Sequence, residues 1–505
     1  MSDLLITNAR LFDLEGDTAL PPVADLLILQ GRIAAIGPEA AALAPEGIAR
    51  LDATGKLLIP GLVNAHYHSH DVLLRGLFEQ MPLDVWGLYS SPTNFSHRPA
   101  KEVYLRTLLG AADCLTGGVT TMQDMVTVAQ ADRAHVDEIT AAYAAAGVRI
   151  YLGLQIADRA PSETVPYWDE IDGDWGARLG QGSDTTALRH LIEAMLAAPA
   201  PETLTWALAP SAPQRCSDDL LDWVAGLART HGLQVFTHLY EARNQAVLAR
   251  QAYPGGSLLA HLDRFGLVGP QLTIAHGVWI TETELERFGS AGAGFVCNPA
   301  SNLKLLNGFA PVRRYADQGA GVAIGCDNCS GNDAQSIFES MKLFALYWGM
   351  QSQAGETGAA RAAFHAATLG GAQVLGLAGE IGALRPGYRG DVVVIDLDTA
   401  PYRPLNNALN QLVYAETGAS IREVIVGGRV VAQSGELTGQ SGAALKQAAE
   451  AALERLRPEI AAVVARNADI VPRLLEAYRR ADRATLEIDR YRIDRPCDGH
   501  GCCGD

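Results

Sequence analysis

Long apolar runs, a basic excess and a paired-cysteine pattern are all missing from this chain. No stretch approaches about 18 uninterrupted apolar residues, so no membrane span is predicted. The net charge of −17 argues against nucleic acid or an anionic membrane as a partner, because polyanion binders need a basic surface. The N-terminus carries an acidic residue where a secretory signal has basic ones. The sequence therefore predicts a cytoplasmic protein that acts on a small molecule.

Cysteine usage agrees with this compartment. The eight cysteines form no disulfide framework. Five of them are scattered through segments of barrel-like pattern: Cys114, Cys216, Cys297, Cys326 and Cys329. Such spacing is typical of reduced thiols in a cytosolic enzyme.

What the chain does have is length and a regular order of elements. Its 505 residues are 48% apolar, which suits a barrel with an accessory domain. Residues 1–59 and 385–434 show short alternating strand patterns bounded by Gly, Asp and Pro. Residues 60–384 alternate apolar strands with helical patterns, which predicts a (β/α)8 barrel. A loop at about 160–181, rich in Pro, Asp, Gly and Trp, is a candidate lid.

Metal-ligand residue types recur at the ends of the apolar strands of the predicted barrel. The six positions are His66, His68, His238, Glu241, His276 and Asp327. Catalytic residues collect at the carboxyl ends of the strands in a parallel barrel. Three imidazoles and a carboxylate suit a catalytic divalent metal with one position open for water. A single strand-end histidine is most often a satisfied polar residue, but the ordered series is hard to obtain by chance.

Seven stretches give the chain a family resemblance. They are Pro60-Gly-Leu-Val-Asn-Ala-His-Tyr-His68, Thr237-His-Leu-Tyr-Glu241, Ala275-His-Gly277, Asn298-Pro-Ala-Ser-Asn-Leu-Lys-Leu305, Gly325-Cys-Asp-Asn328, Ala366-Ala-Thr-Leu-Gly-Gly-Ala372 and Ile381-Gly-Ala-Leu-Arg-Pro-Gly-Tyr-Arg-Gly-Asp-Val-Val-Val394. The chain resembles the amidohydrolase superfamily, in its cytosine-deaminase-like branch of chlorohydrolases and aminohydrolases. The resemblance implies a distorted TIM barrel, beside which the two flanks pair into one small β-sandwich.

The resemblance also implies one divalent metal ion per subunit. Its ligands would be His66, His68, His238 and Asp327, with Asp327 also taking a proton from the metal-activated water. His276 would steady that water, although direct ligation by His276 stays open. Binuclear relatives carry a carboxylated lysine at the end of strand four, and the stretch Leu204-Thr-Trp-Ala-Leu-Ala-Pro-Ser211 has none. Zinc suits the donor set, and Fe(II) is also accepted by such ligands.

Glu241 is the candidate acid–base residue. It lies three residues after His238 and could donate a proton to a ring nitrogen of the substrate, then carry one to the leaving group. Such a double role needs a pKa raised by burial. The alternatives are a surface glutamate or a carboxylate near the start of the next helix.

Candidate substrate contacts are more weakly indicated. They are His70, Trp86, Gln155, Ser211, Asn302 and Asn328. His70 could equally be structural, and an aromatic such as Trp86 is more often packing. Ser211 and Trp279 stand where many relatives carry histidines, which puts nucleoside-type substrates in doubt.

Three functional hypotheses follow. The first is hydrolytic deamination of an aminated nitrogen heterocycle. The second keeps hydrolysis but changes the bond, to loss of an alkylamine or halide from a ring or cleavage of an amide or urea. The third is a metal-free scaffold, against which the full ligand set argues.

The C-terminal region extends beyond the barrel pattern. Residues 440–492 show helical apolar spacing that predicts packing against the barrel, the small β-domain or a partner subunit. We expect a homodimer or higher homo-oligomer. The tail, residues 493–505, carries Cys497, His500, Cys502 and Cys503, which could bind a soft metal or simply lie in a disordered terminus.

Overall fold

The computed structural model describes residues 2–171 and 176–492 of the chain. The tail at 493–505, for which a soft-metal site and a disordered terminus were the alternatives, lies outside the described residues. The strands in chain order are β1 (Leu4–Leu11), β2 (Val23–Leu29), β3 (Arg32–Ile36), β4 (Ala49–Asp52), β5 (Lys56–Pro60), β6 (Leu62–His68), β7 (Val119–Val126), β8 (Arg149–Ile156), β9 (Leu204–Trp206), β10 (Ala209–Pro210), β11 (Val235–Leu239), β12 (Leu272–His276), β13 (Gly294–Cys297), β14 (Gly321–Ile324), β15 (Asp327–Asn328), β16 (Val392–Asp396), β17 (Ile421–Val426), β18 (Arg429–Gln433) and β19 (Glu436–Leu437).

Helices follow most strands and continue past the last one. They are α1 (Pro38–Leu43), α2 (Leu83–Ser90), α3 (Ala100–Thr116), α4 (Arg133–Ala146), α5 (Gly176–Leu179), α6 (Thr186–Ala197), α7 (Asp218–His231), α8 (Arg243–Ala252), α9 (Leu258–Asp263), α10 (Glu282–Ser290), α11 (Pro299–Lys304), α12 (Val312–Asp317), α13 (Cys329–Asn332), α14 (Ile337–Met350), α15 (Ala359–Ala366), α16 (Leu369–Val374), α17 (Ala408–Tyr414), α18 (Gly442–Asn467) and α19 (Val471–Arg483). Among the described helices, none has the length and apolar content that a bilayer crossing requires.

The strands β6 to β15 form a closed ring of parallel strands. One half runs in the order β10, β8, β7, β6, β15, and the other in the order β11, β12, β13, β14. The halves meet where the Phe236 N–H donates to the Leu208 carbonyl oxygen at 2.9 Å. They meet again where the last barrel strand, broken into β14 and β15, pairs first with β13 and then with β6. The predicted distorted barrel is therefore confirmed.

The flanks of the barrel pair into one nine-stranded sheet, as the resemblance implied. Its order is β19, β18, β17, β16, β5, β1, β2, β3, with β4 beside β1. The central pairing joins β5 to β16 in antiparallel register, from Lys56 opposite Asp396 to Pro60 opposite Val392. Because β5 runs directly into β6, this sheet holds the first barrel strand from outside the ring.

The C-terminal helices pack on the barrel rather than on the small sheet. α18 contacts α2 and α3, and α19 contacts α2 and α8. The apolar face of α19, which includes Leu474 and Ala477, is buried there together with the preceding Ile470 against Trp168. Of the predicted ways to bury these helices, packing against the barrel is thus the one seen within the chain.

Candidate metal centre and active site

Ring nitrogens of four strand-end histidines converge on Asp327. The Nε2 atoms of His66 and His68 each lie 3.3 Å from Asp327 Oδ1. His68 Nε2 is 3.2 Å from His66 Nε2 and 3.3 Å from His238 Nε2. His276 Nε2 lies 3.8 Å from Asp327 Oδ2. All five side chains are buried, so the strand ends deliver these groups to one enclosed point.

Backbone carbonyl oxygens on the outer side of the cluster fix the tautomers of His68 and His238. His68 Nδ1 is 2.6 Å from the Met125 carbonyl oxygen, and His238 Nδ1 is 2.6 Å from the Ser211 carbonyl oxygen. A carbonyl oxygen only accepts, so each Nδ1 carries the ring proton and each Nε2 presents a lone pair to the centre. Two bare nitrogens 3.3 Å apart repel each other unless a cation lies between them.

Orphaned buried atoms give a second test of metal fit. Asp327 Oδ1 and His276 Nε2 are buried and lack a hydrogen-bond partner. Such atoms are costly in a protein interior unless a ligand takes them up. Ligand atoms of His66, His238, His276 and Asp327 all lie within 4.8 Å of one another. The donor set fits a single divalent ion, and the position of His276 keeps its direct ligation open.

Protonation in this cluster favours metal binding. Burial lowers the pKa of His66 to about 4 and that of His238 well below its ordinary value. Burial alone would raise the pKa of Asp327, but the facing imidazoles of His66 and His68 lower it well below the usual range. At neutral pH His66 and His238 are therefore neutral and Asp327 is ionised, the forms in which these groups bind metals, while the facing Asp327 carboxylate raises the pKa of His68 against the effect of burial.

Glu241 stands beside the cluster with a distinct environment. Its Oε2 is 3.7 Å from His276 Nε2, and its Oε1 accepts a hydrogen bond from Asn307 Nδ2 at 3.1 Å. Burial first, and then the charge of Asp327, raise the pKa of Glu241 to about 8. Glu241 is buried and so is not a surface glutamate, and it directly precedes Ala242, the N-cap residue of the following helix.

Four of the predicted substrate contacts belong to one hydrogen-bonded arc around the barrel mouth. The Thr127 N–H donates to His70 Nδ1 at 3.2 Å, and His70 Nε2 lies 3.2 Å from Asn328 Nδ2. The Thr127 hydroxyl donates to Gln155 Oε1, and Gln155 Nε2 donates to Ser211 Oγ, each at 2.7 Å. The arc links the ends of five successive strand positions of the barrel.

The other two predicted contacts are placed differently. Asn302 Oδ1 lies 2.8 Å from His276 Nδ1, so it fixes the tautomer of that ring. Trp86 Nε1 donates to Ser330 Oγ at 3.0 Å, and its ring packs against Ala242 and Leu305.

Sequence reasoning missed several polar residues of the site. Ser301 donates to Asp327 Oδ2 and Asn307 donates to Glu241. Arg215 lies 3.4 Å from Ser211 Oγ, and its positive charge acts against the raised pKa of Glu241. Ser301 lies in the Asn298–Leu305 motif and Asn307 lies just after it. The motif could therefore have indicated both residues as members of the site. Arg215 left no sequence signal, because its partners come from other segments.

Known proteins match the chain over most of its length. Residues 57–431 match the family described as Amidohydrolase family. A 5-methylthioadenosine/S-adenosylhomocysteine deaminase of Syntrophobacter fumaroxidans is 32% identical over 439 residues, which is 86% of this chain and 94% of that protein. An adenosine deaminase structure from Xanthomonas campestris with bound zinc is 29% identical, with a TM-score of 0.77 over 90% of this chain and 99% of that one.

A third match bears on the fold alone. The structure of an atrazine chlorohydrolase of Arthrobacter aurescens, complexed with zinc, has a TM-score of 0.77 at 21% identity and covers 89% of this chain and 100% of that one. The predicted family resemblance is confirmed by the match over residues 57–431 and by the relative at 32% identity. This chain belongs to the amidohydrolase family.

Proposed function

We propose that this chain is a zinc-dependent aminohydrolase that deaminates an aminated nitrogen heterocycle. The observation that carries the proposal is a buried glutamic acid, Glu241, set 3.7 Å from His276 at the edge of a convergent histidine–aspartate cluster. The names of the deaminases that resemble the chain support the same reaction class. The reaction consumes one water molecule, releases the amino group as ammonia and leaves a carbonyl on the ring.

The ion would be held by His66, His68, His238 and Asp327. When bound by these residues, a divalent ion would lower the pKa of a water molecule to about 7, and hydroxide would then be available at neutral pH. Asp327 is ionised and its Oδ1 has no hydrogen-bond partner, so it can accept a proton. His276, held by Asn302 through Nδ1, presents Nε2 to the same point.

Glu241 supplies the proton chemistry on the substrate side. With a pKa of about 8 its carboxyl is protonated at pH 7, so Oε2 can donate to a ring nitrogen. That donation makes the neighbouring ring carbon more electrophilic. It also leaves Glu241 as a carboxylate, which can take up one of the two protons released from the attacking water and pass it to the departing amino group. The other proton, accepted by Asp327, can restore the Glu241 carboxyl. The Asn307 amide holds Oε1 and leaves Oε2 facing the centre.

The test is ammonia release by the zinc-loaded protein. A panel of aminated purines, pyrimidines, pterins and triazines covers the heterocycle classes. We expect release from at least one member and none after the metal is removed by dialysis against a chelator. Release of an alkylamine or chloride without ammonia would replace deamination by the related hydrolysis, and a protein that binds no zinc would contradict both.

We also propose a cytoplasmic homodimer or higher homo-oligomer. The five described cysteines that are free and buried support a reducing compartment. Exposed apolar side chains on α14 and α17, Leu346, Met350 and Tyr414, support a further contact surface. Light scattering that gives a mass near the chain's 53.7 kDa at micromolar concentration would contradict the assembly.

A further inference from the structure

Residues 484–491, here called the C-terminal segment, follow α19 and lie on loops at the mouth of the barrel. The segment lies beyond residue 431, where the match to the family ends. Its residues Leu486 and Ile488 are partly buried and pack against the main apolar core. The C-terminal segment is therefore part of the folded barrel, although it is far from every barrel strand in the sequence.

A buried residue of the C-terminal segment, Arg490, joins it to two of the mouth loops. Arg490 Nη2 donates to the carbonyl oxygen of Ile280, in the loop after β12, at 3.1 Å. The Arg490 carbonyl oxygen accepts from the Phe309 N–H, in the loop after α11, at 2.8 Å. A Cβ atom added at Gly308 would meet that carbonyl oxygen at 2.6 Å, so only glycine lets the two backbones approach this closely. The turn at 307–309 and the C-terminal segment therefore hold each other in place.

Trp279 lies between the C-terminal segment and the same turn. Its Nε1 donates to the Asn307 carbonyl oxygen at 2.7 Å. The Tyr491 ring packs against the indole edge to face, with ring centroids 5.1 Å apart, and the Arg243 guanidinium lies over the indole at 5.5 Å. Trp279 is fully buried, whereas Tyr491 is half-exposed. A side chain of the C-terminal segment thus covers the indole on its outer side.

Asn307 connects these contacts to the acid–base residue. Its backbone carbonyl is bound by Trp279, and its side-chain Nδ2 donates to Glu241 Oε1 at 3.1 Å. Asn307 and Glu241 are both buried, and a buried polar group that loses its partner costs free energy. A continuous series of contacts therefore runs from the C-terminal segment through Trp279 and Asn307 to Glu241.

We propose that the C-terminal segment positions the Glu241 carboxyl for catalysis, because it fixes Trp279 and the turn that carries Asn307. The inference rests on the proposed function. With Oε1 bound by Asn307, Oε2 of Glu241 faces the centre. Without the C-terminal segment the turn loosens, and the carboxyl can rotate away from the centre. Tyr491 and Arg490 act through Trp279 and the turn, so they are positioning residues.

The test is a chain that stops after Arg483, which keeps α19 and removes the C-terminal segment. It is compared, loaded with zinc, with the full chain and with a chain that stops after Arg492 and keeps every contact of the segment. Relative to the stop after Arg492, we expect kcat for ammonia release to fall by roughly 10–100-fold, because a catalytic group misplaced by about 1 Å can cost 10²-fold. KM should change by less than about twofold, since proton donation by Glu241 acts in the transition state. An active enzyme with unchanged kcat overturns the inference.

The same truncation in a Glu241→Gln enzyme separates positioning from general destabilisation. This enzyme lacks the proton that the C-terminal segment holds in place. The stop after Arg483 should therefore lower its residual kcat by less than about twofold, as expected for two changes that act through one group. An equal loss of kcat in both backgrounds would give the segment a structural role alone and overturn the inference.

Tyr491 allows a test with a single substitution, because its half-exposed side chain contributes little to the core. Tyr491→Ala should lower kcat by roughly 2–10-fold, the worth of one aromatic pair. Tyr491→Phe keeps the ring and should restore the wild-type rate. Tyr388→Ala removes a partly buried tyrosine from the small sheet and should leave kcat unchanged. Equal rates for Tyr491→Ala and Tyr491→Phe would overturn the role of Tyr491.

Hydrogen exchange measures the contact without turnover. The Phe309 N–H donates to Arg490, so it should exchange faster in the chain that stops after Arg483 than in the chain that stops after Arg492. If no compound releases ammonia but the Phe309 exchange accelerates, the proposed deamination fails and the hold of the C-terminal segment on the turn stands. Unchanged exchange at Phe309 overturns the inference, whatever the turnover.

Discussion

His276 ends β12 and Asp327 begins β15, each with a left-handed backbone, at φ values of 72° and 65°. Such a conformation costs about 1–3 kcal/mol in a residue other than glycine. The neighbours hold both residues there, since Ser301 binds the Asp327 carboxylate and Asn302 binds the His276 ring. The site is therefore set by the surrounding packing before any ligand arrives.

Removing one ring of the cluster tests the metal site. We expect His68→Ala to lose most bound zinc and to lower kcat by more than the roughly 10–100-fold that outer-shell changes cost. Metal content by atomic emission and steady-state turnover are the measurements. His190→Ala, an exposed histidine on α6, is the control. Full zinc occupancy in His68→Ala would remove that residue from the ligand set.

Glu241→Gln tests the acid–base role. The amide keeps the shape and loses the titratable proton, so kcat should fall by roughly 10²–10⁴-fold while zinc content stays intact. Glu286→Gln, on the exposed face of α10, should leave both quantities unchanged. A Glu241→Gln enzyme within a few-fold of wild type would assign Glu241 a positioning role instead.

At the scale of elements, close packing fixes the strand that carries Asp327. Helix α16 lies against β14, and a Cβ atom added at Gly370 would meet the Val322 carbonyl oxygen at 2.1 Å. Only glycine allows this approach, because a methyl group would push the helix away from the strand. The strand then continues through Gly325 to Asp327.

A pair of helical Gly→Ala changes should therefore have opposite signs. Gly370→Ala should destabilise the protein by about 1–3 kcal/mol, the usual cost of overpacking. Gly226→Ala on α7 meets nothing within 4 Å and should stabilise by roughly 0.5–1 kcal/mol. Denaturant unfolding measures both changes. If both variants changed the free energy of unfolding by the same amount, α16 would be able to shift away from β14 without an energetic cost.

Asp396 ties three strands of the small sheet. Its carboxylate is 3.1 Å from Lys56 Nζ on β5 and accepts from Arg422 Nε on β17 at 3.0 Å. Burial alone would raise the pKa of Asp396, but the Asp398 N–H, Lys56 and Arg422 outweigh burial and lower it from 3.8 to about 2. A depressed carboxyl pKa stabilises the fold above about pH 4, and this contribution disappears as the pH falls towards 2.

Asp396→Asn should accordingly have a lower Tm than the wild type at pH 7. The difference in Tm between the two proteins should become smaller as the pH falls from 4 to 2. Thermal unfolding followed by circular dichroism across that range is the measurement. Asp398→Asn, which changes an exposed neighbour, should not show the same pH-dependent gap. A gap that stays constant down to pH 2 would mean that the carboxylate charge carries no stability.

Sequence predicted the elements with local signals and missed the contacts between distant segments. His66, His68, His238, His276 and Asp327 were found because each closes an apolar run. Helix α18 runs to Asn467 through Pro458, because tertiary packing on α2 and α3 outweighs the proline. The hydrogen bond from the Tyr478 hydroxyl to Asp84 joins residues far apart in the chain and has no local pattern.

The whole molecule buries its C-terminal helices within one chain. The residues buried along α18 and α19 include Ala452, Leu456, Leu474 and Ala477. A stop after Leu437 should therefore expose apolar surface on α2 and α3 and lower Tm, while the oligomeric state stays as in the full chain. Light scattering and thermal unfolding of both chains give the answer. A full-length oligomer that becomes monomeric on truncation would place the subunit contact on these helices.

The pairing of β5 with β16 can form only late in synthesis, because the whole barrel lies between these two strands in the chain. During synthesis β5 is finished early, but its partner emerges only after the whole barrel has been translated. Until then one side of β5 presents unpaired N–H and C=O groups, a ready template for pairing with another chain. Because contacts between distant segments also slow folding, this edge of β5 stays unpaired for a long period. A premature stop or a stalled ribosome during that period would leave the edge free to pair with another chain. When β16 pairs with β5, it covers this exposed edge, and by then most of the chain has been synthesised.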